Sequence, residues 1–125
     1  MAVSMTFLGG AGTLNYGHNN PILKKALMAY IEDNGITHGL DLHTDAKREF
    51  LETLNEKILK PRDLEYMVQF TGPTGTNAVE AAIKVAERAA GPARPKVVYA
   101  ENSFHGKTKG VLSITDSPLY RGEFR

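Results

Sequence analysis

Tyr66-Met67-Val68-Gln69-Phe70-Thr71-Gly72-Pro73-Thr74-Gly75-Thr76-Asn77-Ala78-Val79-Glu80 is the stretch on which the fold class turns. Residues 66–70 read as a short strand, rich in β-branched and aromatic side chains. Residues 71–75 hold two glycines and a proline, the composition of a tight loop. From about Thr76 to Ala90, the small or apolar residues Ala78, Ala81, Ala82, Val85, Ala86 and Ala89 recur at helical spacing. Gly91 and Pro92 end that helix. A second apolar run, Lys96-Val97-Val98-Tyr99-Ala100, reads as another strand. Strand, helix and strand in about 35 residues form a βαβ unit, with parallel strands and a right-handed crossover. The expected class is therefore α/β with a mainly parallel sheet.

Two more helices are expected on the N-terminal side. Asn20 is a good cap and Pro21 suits the first helical position, where an absent N–H costs nothing. Ile22, Leu23, Ala26, Leu27, Tyr30 and Ile31 follow in register, and Asn34-Gly35 closes the helix. Residues 35–43 form a loop. Thr44 or Asp45 caps the next helix, with Phe50, Leu51, Leu54 and Ile58 on its apolar face, and Pro61 is expected to stop it. Before these helices, residues 6–17 are irregular. Gly9, Gly10 and Gly12 imply backbone that turns sharply or lies close to something.

Composition narrows the function classes. A net charge of +1, with 15 basic and 14 acidic residues interspersed, gives no electrostatic reason to expect nucleic acid or an anionic membrane. The absence of cysteine excludes disulfides, thiolate catalysis and Cys-ligated metals. Met1–Met5 lack the pattern of a secretion signal, and no run approaches the ~18 apolar residues of a membrane span. A cytoplasmic location is the expectation. The last residues, Tyr120-Arg121-Gly122-Glu123-Phe124-Arg125, close no helix or strand, so the sequence reads as an interrupted chain.

Two strand-end loops could carry chemistry. In the first, Thr74, Gly75 and Thr76 stand where a helix begins. Free N–H groups and the positive end of the helix dipole make such a place an anion site. The same residues also fit an ordinary capped turn. The second loop, Asn102-Ser103-Phe104-His105-Gly106, follows the second strand. Ligands of open α/β sheets gather at the carboxyl ends of strands. An aromatic ring and an imidazole beside a phosphate site would suit a flat heteroaromatic ligand. Alternatively, Phe104 packs in the core and His105 is a surface or capping residue.

Other chemistries fail on spacing. A P-loop ending in Gly106-Lys107-Thr108 would need glycine at position 101, which is Glu101. A dinucleotide fingerprint near Gly9 to Gly12 has no strand before it. His18, His38 and His43 lack the spacing of a metal-binding helix. Ser103 and Ser113 have no nucleophile-elbow context.

Three stretches then match a known family in order and spacing. They are Gly9 to Pro21, Phe70-Thr-Gly-Pro-Thr-Gly-Thr-Asn-Ala-Val-Glu-Ala-Ala-Ile-Lys84, and Ser103-Phe-His-Gly-Lys-Thr108. Together they resemble the class III aminotransferases, a fold-type I group that uses pyridoxal 5'-phosphate and includes ornithine and 4-aminobutyrate aminotransferases. Ala11 to Pro21, Gly35-Ile-Thr-His-Gly-Leu-Asp41 and Gln69 to Glu80 resemble the branch acting on diaminobutyrate, which serves ectoine biosynthesis.

The resemblance implies that residues 1–60 are an N-terminal segment with helices, and that 61–125 begin the large cofactor-binding domain. It implies that Thr74, Gly75 and Thr76 cradle the phosphate, that Phe104 stacks on the pyridine ring, and that His105 and Gly106 complete that loop. Gly9 to Tyr16 would help shape the substrate side. It further implies transfer of an amino group between L-2,4-diaminobutyrate and 2-oxoglutarate or glutamate, or, as the alternative, an ornithine, acetylornithine, 4-aminobutyrate or putrescine substrate. A non-catalytic phosphate-binding module is the other reading. Family members dimerise. The family's cofactor-bearing lysine, and the aspartate that pairs with the pyridine nitrogen, fall in regions this sequence does not contain. Lys84, Lys96 and Lys107 do not match that lysine. The chain by itself is therefore expected to be inactive and poorly soluble or oligomeric.

Overall fold

Local capping explains most of the secondary structure. The computed structural model describes residues 9–39, 41–93 and 96–122. The expectations for Met1–Met5, for Thr6–Leu8 of the glycine-rich segment, for Leu40 and for Glu123–Arg125 lie outside those residues. The chain divides into two compact units, Met1–Glu65 and Tyr66–Arg125.

In the first unit, Gly9, Gly10, Ala11 and Gly12 all take positive φ, between 56° and 95°. The backbone turns left-handed there and closes with Leu14 N–H donating to Gly9 O at 3.0 Å. This is the sharp turn that the glycines announce. Helix α1 spans Pro21–Glu32. Asn20 Oδ1 accepts from the N–H of Ile22 at 3.0 Å and of Leu23 at 3.4 Å, satisfying donors that have no partner within the helix. Asn34, at φ 55°, ends it. Gly35 N–H reaches Tyr30 O at 2.8 Å, and Asn34 N–H reaches Ile31 O at 3.0 Å, the paired bonds of a left-handed helix stop.

Helix α2 spans Asp45–Leu54, capped by Thr44 Oγ1 accepting from Lys47 N–H at 3.2 Å. Its end corrects the expectation for Pro61. The chain stays helical through a widened turn at Asn55–Leu59 and a 3-10 turn at Lys60–Arg62, with Pro61 inside the latter. Proline lacks an N–H and crowds the carbonyl four residues back. The wider turn, closed by Lys60 N–H on Asn55 O, relieves that crowding. The stop comes two residues later, at Asp63 with φ 54°. None of the described residues of this unit is buried.

In the second unit, helix α3 spans Gly75–Ala90 and ends at Gly91, φ 68°. Two short helices follow, α4 at Lys109–Leu112 and α5 at Pro118–Arg121. The apolar run 111–114 supplies the core. Val111, Leu112 and Ile114 are buried, together with Thr115. An open apolar groove of about 460 Å³ lies between α3 (Val79, Ile83, Ala86) and the segment Val97 to Ala100.

The sheet differs from expectation. Among the described residues, neither 66–70 nor 96–100 is paired as a strand. A strand exists only through the neighbour that takes up its N–H and C=O groups. Met67 is fully exposed and Val98 is 94% exposed. These segments have strand composition without a ladder to join. No helix among the described residues is long and apolar enough to cross a membrane.

Candidate functional site

The start of α3 is built by a reciprocal capping box. Thr74 Oγ1 accepts from Asn77 N–H at 3.3 Å, and Asn77 Oδ1 accepts from Thr74 N–H at 3.3 Å. The Thr74 hydroxyl donates to Asn77 Oδ1 at 2.7 Å. Its one proton is thus spent locally. The N–H groups of Gly75 and Thr76 remain without an acceptor inside the helix. A Cβ built on Gly75 would meet nothing within 4 Å, so the side-chain direction at Gly75 is open.

The second loop lies against this one. Gly106 is buried, at φ 131°. A Cβ built there would overlap the Thr76 side chain, with Thr76 Cγ2 only 2.6 Å away. Gly106 and Thr76 are therefore packed backbone to side chain, and the two loops meet at that point. His105 is half-buried and lines the apolar groove. Phe104 is outside the core, 57% exposed, with its ring edge-on to Tyr120 at 5.2 Å between centroids and 62° between planes. The Lys107 ammonium sits 4.1 Å from the centre of the Tyr120 ring, a cation–π contact.

Residues not singled out in the sequence hold this loop in place. Thr115 is fully buried. Its Oγ1 accepts from His105 N–H at 3.1 Å and donates to Gly106 O at 2.8 Å. Asp116 Oδ2 accepts from Asn102 N–H at 2.7 Å, and Asp116 N–H donates to Ser103 O at 2.8 Å. The available signal was a hydroxyl directly after a buried apolar run, since buried polar groups are paired. Thr115→Val keeps the shape and removes both bonds. It leaves the His105 N–H and the Gly106 carbonyl unpaired, at a cost of about 1–3 kcal/mol. In the folded subunit, amide exchange at His105 then speeds up roughly ten- to hundredfold. Unchanged exchange would show that the bridge holds nothing.

Glu80 is the second such residue. Its Oε1 accepts from the Thr108 hydroxyl and from Val111 N–H at 3.0 Å. These donors hold its carboxyl below the ordinary 4.5, Thr108 first and Val111 next; partial burial opposes them, and the Gly110 N–H and the Lys84 charge assist. The sign follows from linkage. The unfolded carboxyl protonates near 4.5 and the folded one only at lower pH. The contact is therefore complete above 4.5 and is lost as the pH falls through the folded value. In a subunit labelled at valine, the Val111 amide shift titrates with a midpoint below 4.5; a midpoint at or above it contradicts the contact.

With two donors before a helix, an exposed aromatic ring and a buried backbone junction between them, the site suits a flat ligand that carries a phosphate. The chain is 60% identical over 117 residues to diaminobutyrate–2-oxoglutarate transaminase of Vibrio parahaemolyticus, covering 94% of this chain and 27% of that protein. It is 60% identical over 115 residues to the protein of the same name from Halomonas elongata, covering 92% and 27%. It is 57% identical over 117 residues to that of Streptomyces anulatus, covering 94% and 27%. The chain thus spans about a quarter of the length of these relatives. The sequence profile described as aminotransferase class-III matches residues 4–125, and on that match the chain belongs to the class III aminotransferase family.

Proposed function

We propose that this chain forms the phosphate- and ring-holding part of a pyridoxal-phosphate-dependent subunit that moves an amino group between L-2,4-diaminobutyrate and 2-oxoglutarate or glutamate. The observation that carries this is the packing of Gly106 on Thr76, which sets an aromatic-bearing loop beside free helix-start donors. The relatives' names supply the substrates. In this reading residues 1–60 are an N-terminal segment, 61–125 open the large domain, and 66–70 and 96–100 find their parallel strand partners in the full subunit. The working enzyme is a cytoplasmic homodimer or higher homo-oligomer and serves ectoine biosynthesis.

The residues fit the cofactor. The N–H groups of Gly75 and Thr76 and the positive end of α3 hold its phosphate, with the Thr76 hydroxyl beside them. The Thr74 hydroxyl proton goes to Asn77, so Thr74 contributes by fixing the helix start. The exposed Phe104 offers a face to a flat ring. His105 and Gly106 complete the loop. When bound, pyridoxal phosphate supplies the electron sink that chemistry at an amino acid's α-carbon requires. No proton-transfer role falls to Lys84, which lies beyond Glu80 on α3, or to Lys107, which is engaged over Tyr120.

The test compares two polypeptides. A subunit of the relatives' length turns over L-2,4-diaminobutyrate with 2-oxoglutarate in preference to ornithine, acetylornithine, 4-aminobutyrate or putrescine. The 125-residue chain alone gives no turnover. Equal use of ornithine would defeat the substrate assignment. Turnover by the short chain would defeat the division of labour.

A further inference from the structure

Glu80 stands four residues beyond Thr76 on α3, a rise of about 6 Å, and so just over one turn on along the same helix. Each of these two residues holds one end of a short segment. Thr76 packs on Gly106, and Glu80 holds Thr108 and Val111. Thr108 is the cap residue of α4, yet it makes no side-chain bond to that helix. Its hydroxyl donates to Glu80 instead, and Glu80 also takes the Val111 N–H, which a cap would ordinarily satisfy. Helix α4 is thus capped by a carboxylate from α3.

The two attachments differ in kind. Gly106 on Thr76 is a packing contact without a directional bond. The hydrogen bonds to Glu80 add direction, fixing the far end of the segment at Thr108 and Val111. Beyond α4, Thr115 ties the same unit back to His105 and Gly106. Phe104 lies two residues before Gly106, so its placement relative to the Gly75 and Thr76 N–H groups depends on both attachments.

We propose that Glu80 is a positioning residue that sets the Phe104–Gly106 loop against the start of α3 by holding Thr108 and Val111. The inference rests on the reading of this loop as the ring-holding part of the site. Glu80 itself touches no cofactor. Its loss therefore separates ring binding from phosphate binding, which a general loss of structure would not do.

The experiment uses the apo form of the full subunit, with pyridoxal phosphate and inorganic phosphate as separate probes in equilibrium dialysis. Glu80→Ala weakens pyridoxal phosphate binding about tenfold and leaves inorganic phosphate binding within about twofold. The near-UV dichroism of the bound cofactor changes as well. Glu80→Gln keeps an oxygen able to accept from both donors, and restores binding to within about threefold of the parent. Unchanged affinity and dichroism in Glu80→Ala overturn the proposal, as does an equal loss for both probes. If Glu80→Ala fails to fold, Thr108→Val removes one donor and is scored the same way: loss confined to pyridoxal phosphate supports the proposal, and no loss or equal loss overturns it. Phe104→Leu tests the underlying reading separately. If it leaves pyridoxal phosphate affinity unchanged, the ring-holding assignment fails; if it weakens binding while Glu80→Ala is silent, only the positioning role fails.

Discussion

Gly106→Val is expected to abolish retention of pyridoxal phosphate by the full subunit and to destabilise it by about 2–6 kcal/mol. Two costs combine. At φ 131° the backbone occupies a region that glycine alone enters readily, and any other residue there costs about 1–3 kcal/mol. The new side chain would also overlap Thr76, and overpacking a buried site costs about 1–3 kcal/mol more. Thr76 cannot swing away freely, because it sits at the start of α3, whose cap is fixed by Thr74 and Asn77. The strain therefore falls on the loop and moves Phe104 and His105. Gly75→Ala is the informative control. Its Cβ would enter open space, so stability stays within about 0.5 kcal/mol, while a methyl group before the helix donors still weakens phosphate binding. Urea unfolding and cofactor retention after gel filtration measure both effects. If Gly106→Val melts and binds like the parent, the two loops do not meet as described. If Gly75→Ala binds normally, the start of α3 is not where the phosphate goes.

The sequence was most readable where structure is made by neighbours. Asn20 with Pro21, Thr44, Thr74 and the Asn34 stop act within five residues, so a local pattern suffices to see them. The loops at 74–76 and 104–106 were visible for the same reason, each as glycine beside polar or aromatic residues after an apolar run. What escaped depends on distance along the chain. Thr115 reaches back nine and ten residues, and Glu80 reaches forward 28 and 31. Glu80 has no local signature, and the hydroxyl after an apolar run at Thr115 does not name its partners, because those are set by whatever the fold brings near. Pro61 was misread because a proline's cost depends on the turn before it, and the widened turn at Asn55–Leu59 removes that cost. The strands show the limit from the other side. Residues 66–70 and 96–100 have strand composition, but a ladder belongs to two segments at once. The relatives are about three and a half times as long as this chain, which leaves ample sequence to supply those partners.

The isolated 125-residue chain is expected to unfold without a cooperative transition and to bind a hydrophobic dye strongly at 25 °C. Its accessible surface is 11661 Å². Two separate compact bodies, each of half its 13.7 kDa mass, would together expose only about 8,000 Å². Large apolar side chains contribute to the excess. Ile22, Leu23 and Leu27 on α1, Val85 on α3, and Met67 and Val98 on the unpaired segments are all at least half exposed. Burying one such side chain contributes about 1.5–3 kcal/mol, and here that contribution is forgone many times over. Among the described residues the buried apolar core is small, made by Val111, Leu112 and Ile114. Well-capped helices can persist without a core, because capping acts locally, but local helices do not melt as one unit. Far-ultraviolet dichroism therefore retains helical signal that declines gradually with heat or urea, with no sigmoidal step. In the full subunit the same segments are expected to be covered and the step to return. A sharp transition in the short chain, with a urea slope in the ~1–3 kcal/mol/M range of small folded domains, would mean that this surface is already covered and that the exposed faces are not waiting for the rest of the subunit.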